Sequence, residues 1–76
     1  MQKLIKVLAT SLVDYPEEVE VKEIEGENAL IVELKVADAD MGKVIGKQGK
    51  IARAIRALAK AKGNKIGRNV VVEIVS

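Results

Sequence analysis

Between Leu30 and Val36 the chain alternates strictly, with Leu30, Val32, Leu34 and Val36 on one side of an extended backbone and Ile31, Glu33 and Lys35 on the other. Alternation of this kind marks a strand with one face buried and one in water, so the chain must build a sheet and cover one side of it. Upstream, Val19 and Val21 alternate with Glu18, Glu20 and Lys22, a shorter strand reaching about Ile24. The intervening Glu25-Gly26-Glu27-Asn28 reads as the turn of an antiparallel hairpin. A third strand is expected over residues 69–75, NVVVEIV, from its branched side chains.

The rest of the chain has helical spacing. Met1, Leu4, Ile5, Leu8, Leu12 and Val13 recur at three and four residues, an amphipathic helix that Pro16 stops by pushing Tyr15 out of the helical region. Asp38 is placed to cap a short helix with Asp40 in its first turn and Met41, Val44 and Ile45 on its inner side, ending at Gly46. After Gly49 a further helix is expected, with Ile51, Ile55 and Leu58 inward and Gly63 as its C-terminal cap. A helical crossover of this length lets the second and third strands run parallel. The expected fold is α+β, in the order αββααβ, one domain over residues 1–76 with a three-stranded mixed sheet covered on one face by three helices. The uncovered face would then expose Ile31, Val71 and Val75, a candidate subunit or partner interface.

Composition removes whole classes of chemistry. Cysteine and histidine are absent, which excludes disulfides, the usual zinc ligand sets and Ser/His or Cys/His nucleophiles. No carboxylate pair or metal cluster can be assembled either, so neither an enzyme nor a bound metal or cofactor is expected. The single aromatic is Tyr15, so the core must be aliphatic and a base-stacking platform is unavailable. No apolar run is long enough to span a bilayer, and Lys6, Thr10 and Ser11 interrupt the opening segment. A cytoplasmic protein without membrane contact is the expectation.

The net charge of +2 conceals a polarised chain. Residues 1–40 set four lysines against ten carboxylates, a net of −6, whereas residues 41–76 set nine cations against Glu73 alone, a net of +8. Clustering of this kind points to a polyanionic partner for the second half, more than to two halves that neutralise each other.

Within that basic half lies Val44-Ile45-Gly46-Lys47-Gln48-Gly49. Its glycines allow positive φ and remove the Cβ atoms that would obstruct another backbone. The helix expected after Gly49 would point unpaired amides and a positive dipole at whatever meets the loop. Lys43, Lys47, Lys50 and Arg53 add charge around it. These features describe a phosphate site, but neither GxxxxGK[ST] nor GxGxxG is present, so nucleoside triphosphate chemistry is disfavoured.

The apolar pair, the GxxG loop and the amphipathic helix in VIGKQGKIARAI resemble the K-homology (KH) domains. The element order resembles their type II form, and the extent of the chain resembles the small bacterial proteins made of a single KH domain. The resemblance implies single-stranded RNA, or less often DNA, with about four nucleotides of backbone clamped by the loop. On that basis Gly46 and Gly49 would permit close approach, and Lys47 and Gln48 would face phosphates and sugars. Ile45 would floor a groove for unstacked bases, with Lys43, Lys50 and Arg53 flanking it. It also implies self-association or pairing with another RNA-binding protein. An RNA chaperone or post-transcriptional regulator is the function expected. The alternative is a protein-interaction subunit whose partner supplies most RNA contacts.

Overall fold

The computed structural model describes residues 2–76, and of Lys47 the backbone alone; Met1, expected on the inner side of the first helix, lies outside the described residues. Strands β1 (Glu20–Glu25) and β2 (Leu30–Lys35) form the expected antiparallel hairpin, and β3 (Val70–Val75) joins β2 in parallel, giving the order β1-β2-β3. The hairpin turn needs its glycine. A Cβ on Gly26 would stand 2.7 Å from the Ala29 carbonyl oxygen, which accepts the Gly26 N–H at 2.9 Å.

Helix α1 (Gln2–Leu12) buries Ile5 and Ala9, while Leu4, expected on the inner side, is exposed. The small Ala9 lets the helix approach the sheet, and the apolar stripe turns about it. Beyond α1, a 3₁₀ turn at Pro16–Glu18 leads into β1.

The expected pair of helices lies within one helical span, α2 (Asp38–Ile66), whose right-handed course is interrupted at Gln48 and Gly49. Its N-cap is Ala37, without a side-chain bond, in place of Asp38. Gly63 is not the C-cap. Gly67 ends the helix in the left-handed region at φ 71°, donating to Asn64 O at 3.3 Å, while Arg68 N–H reaches Gly63 O at 2.8 Å. This pattern closes the last carbonyls of a helix. Gly63 is needed for packing, because a Cβ there would lie 2.7 Å from both Arg68 O and Val70 Cγ2.

The core is aliphatic, as expected: Ile5, Val32, Leu34, Val36, Val44 and Ile55 are fully buried, and Ala52 and Ala59 let α2 lie close to the sheet. Met41, Ile51 and Leu58, expected inside, are half-buried at the margin.

Register decides what the open sheet face shows. Ile24, Ile31 and Val71 are cross-strand partners in one row, followed by Lys22, Glu33 and Glu73, and then Glu20, Lys35 and Val75. The expected patch is therefore redrawn. Val75 is separated from Ile31 and Val71 by a charged row, and the exposed Ile24 takes its place.

Candidate functional site

The loop is held from both sides by buried residues. Val44 anchors the first arm of α2, and Ala52 and Ile55 anchor the second. Between them Ile45 is half exposed, and Gln48 and Lys50 are exposed. Gln48 and Gly49 adopt φ 63° and 67°. The left-handed region costs a non-glycine residue roughly 1–2 kcal/mol, so Gln48 carries local strain at an exposed position.

The two glycines have different roles. Gly49 needs its positive φ, but Gly46 does not have one, which corrects the expectation that both serve backbone freedom. A Cβ on Gly46 would meet nothing within 4 Å. Its missing side chain thus leaves space open toward the described residues. Gly42 likewise faces open space and makes no close helix contact.

Of the expected cations, Lys50 and Arg53 flank the loop and join no ion pair among the described residues, while the Lys47 side chain lies outside them. Lys43 behaves differently. Its ammonium sits 3.2 Å from the Asp14 carboxylate, beside the link between α1 and β1. The same link is tied to α2 by Asp40, a fully buried carboxylate that accepts the Asp14 and Tyr15 N–H groups at 3.0 Å each. Asp40, expected only as a partner of the helix dipole, is a structural tie.

The structure adds residues beyond the loop and its flanking cations. Arg56, Lys60, Asn64, Arg68, Asn69 and Val70–Val72 line a groove of about 320 Å³ between α2 and β3. Gly49, Arg53, Arg56, Lys60 and Asn64 are spaced by four, three, four and four residues, so one helical stripe connects loop and groove. This spacing was visible in the sequence. What was missing was the neighbour, because only the strand order places β3 beside that stripe. Lys62 belongs elsewhere, with Lys3, Leu4 and Val7 between α1 and α2.

The two sheet edges are unlike. Along β1, Gln2 Nε2 donates to Val21 O at 2.6 Å, the Gln2 N–H reaches Glu23 Oε1 at 2.9 Å, and Glu20, Glu23 and Glu25 fringe the strand. β3 instead opens its edge onto Arg56 and Lys60. A larger concavity of about 660 Å³ lies at the other end of the strands, lined by Glu17, Glu18, Glu20 and Asp38 among others, and its charge repels a polyanion.

The family model for the KhpA/KhpB KH domain matches residues 2–74. The chain belongs to this KH family. Relatives named "RNA-binding protein KhpA" include those of Clostridium acetobutylicum and Caldanaerobacter subterraneus subsp. tengcongensis, each 57% identical over 75 residues, covering 99% of this chain and 100% of the relative. The Aquifex aeolicus relative of the same name is 49% identical over 75 residues, covering 99% and 95%. Among solved structures, Era in complex with MgGDPNP and nucleotides 1506–1542 of 16S ribosomal RNA superposes with a TM-score of 0.64 at 21% identity. That match covers 97% of this chain and 28% of Era, and it supports the KH fold. The GxxG signature that marked the KH resemblance is thus Gly46–Gly49, within α2.

Proposed function

We propose that this KH protein is a non-catalytic binder of single-stranded RNA. About four nucleotides of backbone would lie over Gly46–Gly49, with bases directed into the groove between α2 and β3. The observation that carries this reading is the continuity of the Gln48–Gly49 turn, with Gln48 exposed, with the basic stripe and the open β3 edge. Gly46, Lys47, Gln48 and Gly49 form the clamp, Ile45 offers an apolar surface to bases, and Lys50 and Arg53 supply charge. Lys43 contributes less, because Asp14 already holds its ammonium. The relatives' shared name supports RNA as the polyanion.

A role as an RNA chaperone or post-transcriptional regulator in the cytoplasm fits a small clamp without catalytic groups. No helix among the described residues is long and apolar enough to cross a membrane. A few nucleotides per site bind weakly, so self-association or pairing with another RNA-binding protein would raise avidity. The row of exposed Ile24 and Val71 with the half-buried Ile31 between them, and the exposed Leu4 and Val7, are apolar surfaces available for it.

The test is binding of a labelled single-stranded RNA pool to the wild type and to Lys47→Asp/Gln48→Asp, with circular dichroism to check folding. Loss of binding by the folded variant is expected, with a wild-type log-log salt slope of roughly −2 to −3 for three or four phosphates. Unchanged binding in the variant would sink the loop assignment. A flat slope would favour the reading in which a partner supplies most RNA contacts.

A further inference from the structure

Among the three cations lining the groove, Arg56 and Lys60 join no ion pair among the described residues, but Arg68 does. Its Nη2 lies 2.6 Å from Glu25 Oε1, and no carboxylate is among the groove's own lining residues. The Gly67 cap and the bond from Arg68 N–H to Gly63 O fix the backbone at this corner. Register sets Glu25, Leu30 and Val70 in one row, so the guanidinium reaches across the end of the sheet from the β3 side to the last residue of β1. The contact uses one guanidinium nitrogen, leaving other donors of the planar fork unengaged.

We propose that Glu25 is a built-in competitor for phosphate at Arg68, a reading that rests on RNA occupying the groove. The carboxylate holds the Arg68 guanidinium toward β1, and an incoming phosphodiester competes with it for the fork. Both anions suit the guanidinium fork. The Glu25 side chain is 69% exposed, so the pair is a weak surface one that a strand held at the loop can displace. Arg68 is accordingly a specificity-tuning RNA contact. The resting groove is less adhesive to polyanions in general, and a strand that is also clamped at Gly46–Gly49 gains the extra contact.

The test is a double-mutant cycle, Glu25→Gln, Arg68→Ala and both together, with the same labelled single-stranded RNA pool over a range of salt and with the Tm of each variant as the folding check. Glu25→Gln should bind roughly threefold more tightly at low salt with the log-log slope unchanged, because Arg68 meets the phosphate in both proteins, whereas Arg68→Ala should flatten the slope by about 0.7, one phosphate contact on a single strand. The gain should vanish in the double variant, and Glu20→Gln, which removes the same charge from the far end of β1, should leave affinity unchanged. A gain that survives Arg68→Ala, or that Glu20→Gln reproduces, would reduce the effect to overall charge and overturn the proposal. Indifference to Glu25→Gln, with binding still lost in Lys47→Asp/Gln48→Asp, would overturn it while leaving the RNA reading intact. Absence of RNA binding by every variant overturns both.

Discussion

Gln48 and Gly49 hold consecutive left-handed backbone conformations at φ 63° and 67°, although only one of them is a glycine. Nothing among the described residues crowds a Cβ at Gly49, so the backbone angle makes that glycine necessary. Gln48→Gly should therefore raise stability by about 1 kcal/mol, and Gly49→Ala should lower it by about 1–2 kcal/mol, both read from urea unfolding midpoints. On the proposed function Gln48→Gly also weakens RNA binding. A more stable but less active variant would show that the strain is retained for the loop's task.

Asp40 governs stability away from the loop. Its two carboxylate oxygens satisfy the N–H groups of Asp14 and Tyr15 just before Pro16, where the chain leaves α1. Asp40→Ala should cost about 3 kcal/mol, since two amides lose a charged acceptor and a small cavity opens. Asp40→Asn keeps one acceptor in the same volume and should cost about half as much. Chemical denaturation of the two variants checks the ratio, and equal costs would refute the two-amide account.

Much of the fold was legible in the sequence, because alternation and helical spacing report directly which side of an element is buried. Leu30, Val32 and Leu34 announced the central strand, and the long crossover announced its parallel neighbour. Readings that depended on a single position fared less well. Gly63 was expected to end the helix that Gly67 ends, and the approach of Val70 to Gly63 shows that its role is packing. The candidate site was legible as a loop beside a groove, but the lining of the groove was not. Arg56 and Lys60 sit on a helix that any solvated surface could display, and their meaning comes from β3, which follows later in the chain.

Gly63 and Gly46 should respond oppositely to the same substitution. Gly63→Ala forces a Cβ to within 2.7 Å of a backbone oxygen and of Val70, and a loss of about 1–3 kcal/mol is expected as β3 is pushed from α2. Gly46→Ala meets open space without a positive φ, so stability should be unchanged or rise by up to about 1 kcal/mol. Its RNA affinity should nonetheless fall roughly tenfold, the cost of displacing a phosphate from a charge-assisted contact. Thermal unfolding and RNA titration on the same two preparations separate the effects.

The groove itself is tested by charge removal along the helical stripe. Arg56→Ala and Lys60→Ala each delete a groove cation that joins no ion pair among the described residues, so each should flatten the log-log salt slope of RNA binding by about 0.7. Lys62→Ala removes an equal charge from the side of α2 that faces Lys3, Leu4 and Val7, and should leave the slope unchanged. Both lysines lie in the last part of the same helix, and a general electrostatic attraction would treat them alike. Equal slopes for Lys60→Ala and Lys62→Ala would therefore move the RNA off the groove between α2 and β3 and confine it to the loop.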